Sequence, residues 1–114
     1  MNEAADHSFI LVQTTSNSVE VLKKIARLLV EKRLAACVQI GGPLESYFRW
    51  EGKTDSAKEW LCSIKTTKET WPQVREAIQE LHNYDTPEII VLPIVDGSDS
   101  YLKWVRDNVA NPDG

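Results

Sequence analysis

Leu44-Glu45-Ser46-Tyr47-Phe48-Arg49-Trp50-Glu51-Gly52-Lys53 is the stretch whose reading decides the fold. Glu51-Gly52 is a tight-turn signal set between two runs that read as strand. Upstream, Ala35 to Ile40 also reads as strand. Gly41-Gly42-Pro43 interrupts it as a bulge or bend, since strand character resumes at Leu44. Downstream, the partner strand continues to about Lys65. Trp60, Cys62 and Ile64 share one of its faces, and Leu61, Ser63 and Lys65 share the other. Each strand of this hairpin runs for about 12 residues or more, against a usual 5–6. An arm of that length outreaches what two helices can cover. It leaves Tyr47, Phe48, Trp50 and Trp60 as exposed aromatics, and so predicts pairing with another chain.

Outward from the arm, Phe9-Ile10-Leu11-Val12 is an apolar run suited to a strand buried on both faces. Thr14 to Ser18 reads as loop, with Asn17 and Glu20 at capping-box spacing. A helix follows from about Ser18 to Arg33. Val19, Leu22, Ile25, Ala26 and Leu29 recur on one side of it, and Lys32 and Arg33 fall in its last turn. A second helix spans about Lys68 to His82, with Trp71, Val74, Ile78 and Leu81 as its apolar face. Thr67 and the Thr70-to-Gln73 spacing offer two alternative starts. Glu88 to Val95 reads as a fourth strand with Ile89-Ile90-Val91-Leu92 buried. Tyr101, Leu102, Val105 and Val109 mark a short C-terminal helix. The order β-α-β-β-α-β-α is the split βαβ, ferredoxin-like α+β sandwich with one extra helix. Residues 8–110 are expected to form one domain, with 1–7 and 111–114 as flexible tails.

The 114 residues carry 42% hydrophobic and 26% charged side chains, the balance of a folded globular chain. Net charge is −4, and no Lys/Arg stripe breaks the acidic balance, which argues against nucleic acid and polybasic membrane attachment. No apolar run reaches membrane-spanning length, and the polar start has no signal-peptide core. The expected location is the cytoplasm, where Cys37 and Cys62 stay thiols. Catalysis has little support: no Gly-x-Ser-x-Gly elbow, Walker A or GxGxxG motif is present.

Several segments taken together resemble the CutA divalent-cation-tolerance family. They are Lys32-Arg33-Leu34-Ala35-Ala36-Cys37-Val38, Tyr47 to Lys53, Lys65-Thr66-Thr67, Leu81 to Ile90, and Tyr101-Leu102-Lys103-Trp104. The resemblance covers about residues 8–107 in unbroken order. It implies a ferredoxin-like fold and a homotrimer in which long hairpins pack sheet edge to sheet edge around a threefold axis. It also implies a link to copper or another divalent cation and a looser similarity to trimeric PII regulators. Some bacterial members carry a Cys after the first strand and two adjacent His residues, associated with copper. Here Gln13 and Leu81 stand at two of those places, and His82 at the third.

The candidate residues follow from both readings. His82, with Asp85 and Glu88 nearby, is the candidate metal ligand. The competing reading is a helix-terminal His satisfied by the last carbonyls. Lys65, Tyr84 and Glu88 are candidates for a ligand cleft where the third strand ends. Tyr47, Phe48, Trp50 and Trp60 are the candidate trimer interface, and the competing role for the tryptophans is packing. In a PII-like alternative, Lys65 and Arg49 would hold a small anionic metabolite between subunits. Hairpin register sets Cys37 opposite a residue near 66, or one fewer with a bulge, too far from Cys62 for a disulfide.

Overall fold

The computed structural model describes residues 8–110. The expected tails, 1–7 and 111–114, lie outside these described residues. The chain runs β1 (Phe9–Ser16), α1 (Val19–Glu31), β2 (Cys37–Trp50), β3 (Lys53–Thr67), α2 (Trp71–Leu81), β4 (Ile90–Pro93) and α3 (Asp99–Asp107). The strands form one antiparallel sheet in the order β2-β3-β1-β4. This is the ferredoxin-like sandwich with an added C-terminal helix, as the element order predicts.

The core follows from two periodicities. Alternation places Ile10 and Val12 of β1 and Cys62 and Ile64 of β3 on the same face of the sheet. Helical spacing brings Leu22, Ile25 and Leu29 of α1, and Val74 and Ile78 of α2, down onto that face. All nine are at most 3% exposed. Each large aliphatic side chain buried in this way contributes about 1.5–3 kcal/mol.

Local chemistry corrects several boundaries. Thr14, Thr15 and Ser16 continue β1 instead of forming loop, and all three are buried. The helix cap is Ser18, whose side chain accepts from Val21 N at 3.3 Å; Asn17 is used elsewhere. At the other end of α1, Lys32 is the C-cap and Arg33 adopts φ 59, so neither basic residue belongs to the last turn. Before α2 comes a short 3-10 turn, Lys68–Thr70. Neither Thr67 nor Thr70 caps through its side chain, because the Thr70 hydroxyl bonds Leu34 O at 2.9 Å in the interior.

β4 departs furthest from expectation. It is only Ile90–Pro93, and Ile90, Val91 and Leu92 are 39–45% exposed. The reason is topological: β4 lies at the sheet edge with only β1 beside it. Of the expected buried run, Ile89 alone packs against the core.

The hairpin is as long as the sequence indicates. β2 has 14 residues and β3 has 15. β1 pairs with β3 only from Trp60 to Thr67. Leu44–Trp50 and Lys53–Glu59 therefore pair only with each other and project as an arm. At about 3.3 Å per residue, strands of this length account for the 46 Å long dimension of the molecule. The turn has Glu51 at φ 51 and Gly52 at φ 78, the doubly left-handed geometry that suits strand twist. The register shift falls between Gly41 and Leu44. Gly42 sits there at φ +131, where a Cβ would stand 3.1 Å from Trp60 Cδ1 and 3.2 Å from Glu59 O. Only glycine fits that crowded position.

Candidate functional site

The bulge and the β1–α1 turn together create a cleft at the root of the arm. Gly42 passes close behind Trp60, which packs half-buried on the core. The neighbouring residue, Glu59, then faces the opposite side of β3, paired with Leu44. Ser46, Phe48 and Trp50 alternate along the same face of β2, with Ala57 opposite Ser46. The 83–88 segment forms the far wall. The space between is about 760 Å³, lined by these residues with Thr15, Asn17, Tyr47, Tyr84, Asp85, Thr86 and Glu88.

A chain of hydrogen bonds fixes that far wall. His82, the C-cap of α2, donates from Nε2 to Thr15 O at 2.8 Å and accepts Tyr84 N–H at Nδ1 at 3.0 Å. The Nδ1 acceptor role puts the ring proton on Nε2. Asn83 bonds Ser16 at 2.6 Å and Asn17 at 2.9 Å. Tyr84 hydroxyl accepts Asn17 N–H at 2.8 Å and donates to Glu59 Oε2 at 2.7 Å. Burial, with the Glu59 hydrogen bond next, pushes the Tyr84 phenol up to about 12, against a lowering contribution from Asn17 N–H. Tyr84 thus stays a neutral donor in its hydrogen bond to the Glu59 side chain.

Glu59 is the residue that strand periodicity alone did not single out. It is only 9% exposed, and Tyr84 is its one side-chain partner among the described residues. Its signal was a carboxylate inside a strand whose neighbours alternate Lys, Trp and Leu. With Asp85 and Glu88 it makes three carboxylates along the cleft, and no Lys or Arg is among the described residues lining it. Glu88 accepts from Gln13 Nε2 at 3.3 Å.

Tyr84 and Glu88 line the cleft, and Lys65 is not among its lining residues. Lys65 pairs with Leu11 and Cys37 at the opposite end of β3 and donates to Gln39 Oε1 at 2.7 Å. Arg49 lies near the arm tip, opposite Thr54, with Nη2 bonded to Gly52 O at 3.0 Å. Eleven residues of strand, roughly 36 Å, separate Thr54 from Lys65, so the two cations cannot grip one small anion within a chain. His82 has both ring nitrogens engaged and no lone pair left for a metal. Among the described residues no three His, Cys, Asp or Glu side chains come together as a metal site. Cys62 is buried, and burial pushes its thiol up to about 12. Cys37 lies opposite Lys65, three rungs from the Cys62–Ile40 pair, and both cysteines are free.

Residues 10–108 match the family model described as "CutA1 divalent ion tolerance protein". The chain belongs to this family. The CutA of Thermus thermophilus, a "Divalent-cation tolerance protein", is 45% identical over 98 residues, covering 86% of this chain and 95% of that one. Its solved structure superposes with a TM-score of 0.86 at 43% identity, covering 90% of this chain and 99% of that one. The chloroplastic CutA of Arabidopsis thaliana is 42% identical over 102 residues; the match covers 90% of this chain and 56% of the plant protein. CutA proteins are non-catalytic.

Proposed function

We propose that this chain is a cytoplasmic homotrimer in divalent-cation tolerance, holding a divalent ion where the cleft meets a neighbouring subunit. The observation that carries the reading is the charge of the cleft. Three carboxylates line it, Glu59 buried among them, with no Lys or Arg among the described lining residues. A cleft lined by carboxylates with no balancing Lys or Arg concentrates negative potential, and a bound cation neutralises it. The same charge disfavours the PII-like anion alternative.

One chain supplies too few ligands for a transition metal, which takes three or four. A neighbour completes the set in the trimer. The available donors are carboxylate oxygens of Asp85 and Glu88, since His82 is engaged and Cys62 is buried. Such a donor set suits oxygen-preferring ions such as Mn²⁺ better than copper. Titration of the purified protein with Mn²⁺ and Cu²⁺ tests this, alongside Asp85→Asn/Glu88→Gln and His82→Ala. The double variant is expected to lose Mn²⁺ binding while His82→Ala retains it. Undiminished binding by the double variant would move the ion out of the cleft.

A further inference from the structure

Between β4 and α3 a short strap joins two fixed points. At one end, Ile94 N–H donates to Phe9 O at 3.0 Å. At the other, Ser98 caps α3: its Oγ accepts from Tyr101 N at 3.3 Å and its carbonyl from Leu102 N at 3.0 Å. Val95, Asp96 and Gly97 lie between and belong to no helix or strand. Among the described residues their peptide groups make a single hydrogen bond, from Gly97 N–H to the Asp96 side-chain Oδ1 at 2.8 Å. That bond folds the carboxyl back on the next amide. The carboxyl carbon is one bond from Oδ1, so it stands beside a nitrogen that can attack it. Glycine at that nitrogen offers no Cβ to block the approach.

No other acidic or amide side chain among the described residues combines these features. Asp55 makes the same contact to Ser56 N at 2.8 Å, but it is held in the β2–β3 ladder opposite Phe48. Asp99 and Asp107 are fixed in the helical backbone of α3. Asp85 precedes the β-branched Thr86. Asn17 and Asn83 are tied to each other at 2.9 Å, and Asn108 bonds Trp104 O at 2.8 Å.

We infer that Asp96 is a self-modification site, where the chain closes a succinimide and reopens it as isoaspartate. In closure, Gly97 N bonds to Asp96 Cγ, and the N–H proton and carboxyl hydroxyl leave together as water. Water then adds to either imide carbonyl. Opening at Cγ restores aspartate. Opening at the former main-chain carbonyl leaves the chain running through Cβ and Cγ, with the α-carboxylate free. The reaction needs only water and transfers no electrons. The product has one more atom in its main-chain path, set between a pinned strand end and a capped helix. Gly97 already packs so tightly that a Cβ there would stand 3.3 Å from the Leu102 side chain. Conversion therefore loosens the first turn of α3.

The strap follows the β4 edge, so the test ages the assembled protein, for several weeks at neutral pH and physiological temperature. An isoaspartyl methyltransferase with a labelled methyl donor reads the product. Peptide mapping locates it and keeps it apart from the second Asp-Gly pair, Asp113-Gly114. Label at Asp96 is expected to exceed that at any other described Asp or Asn by at least about tenfold. Asp96→Glu is expected to lose the label, because its longer side chain must close a less favourable ring. Asp96→Asn is expected to form the same ring faster, by loss of ammonia. In the aged protein, amide exchange should quicken at Tyr101 and Leu102 and stay slow at Ile64 in the core. A chain held unfolded in urea gives the rate without the fold. No label at Asp96 in the assembly would overturn the proposal. So would even labelling across the other residues, or a folded rate at Asp96 more than about tenfold below the unfolded one. Unchanged exchange at the start of α3 would overturn its link to the helix.

Discussion

At the scale of single residues, the 82–84 segment shows how a chemically suggestive side chain becomes structural. His82 stands out in the sequence because histidines are scarce: there are two. Its partners, Thr15 O and Tyr84 N, are backbone groups brought in by β1 and by the chain just beyond the helix. Backbone partners leave no trace in residue type, so the sequence could not reveal them. Tyr84 carries an alkaline pH signature, and the buried Cys62 thiol, pushed from 9.0 up to about 12, adds a second one in the same direction. The folded chain holds the Tyr84 proton up to about pH 12, whereas the reference phenol value is 10.0. The unfolded chain therefore binds fewer protons between these values. Stability from Tyr84 is fully present below about pH 10 and drains away as pH rises toward 12. Chemical denaturation across that window should show Tyr84→Phe losing less stability with pH than the parent chain, even though it starts lower. Parallel decline of the two proteins would assign the alkaline loss to other groups.

At the scale of elements, the hairpin was legible and the edge strand was not. Turn chemistry at Glu51-Gly52 and the Gly41-Gly42-Pro43 interruption are local signals. They fixed the arm, its bulge and the separation of the cysteines. The exposure of β4 depends on its having β1 as sole neighbour, which an apolar run cannot disclose. Two substitutions probe the arm. Gly42→Ala places a Cβ 3.1 Å from Trp60 Cδ1 at φ +131, and is expected to destabilise by about 1–3 kcal/mol, read by urea denaturation. It also presses on Glu59, so weakened cation binding should accompany the loss. Glu51→Asn at the left-handed turn position is expected to stabilise by about 0.5–1 kcal/mol, because Asn-Gly suits this turn better than Glu-Gly. A loss of stability in that variant would mean the Glu51 side chain has a role outside the turn.

At the scale of the whole molecule, the isolated chain leaves apolar surface on the arm and on the β4 edge, as well as at Tyr101 and Trp104 of α3. Tyr47, Phe48 and Trp50 lie on the arm, and Ile90, Val91 and Leu92 lie on the β4 edge. Two complementary, unlike surfaces generate a closed ring when the rotation between copies closes. Light scattering is expected to return about three times the 12.9 kDa chain mass. Trp50→Lys together with Tyr47→Lys should shift that mass toward one chain. A parent protein running as a single chain would remove the trimer, and with it the neighbour's contribution to the metal site. The sequence already indicated an exposed aromatic arm; the bare edge of β4 appeared only once the strand order was known.

The arm also bears on how the molecule comes to exist. Its pairings begin three residues apart, at Trp50 and Lys53, and spread outward to Cys37 and Lys65. The β1–β3 ladder joins residues as distant as Phe9 and Thr67. Loop closure favours the nearer contacts, so the hairpin can zip during synthesis before the sheet is complete. A newly made chain would then carry an exposed aromatic ribbon until the expected association with other copies covers it. The time it spends alone falls as chains accumulate, so crowding at the ribosome that makes them would hasten maturation, and scarcity would prolong a vulnerable interval open to mispairing and proteolysis.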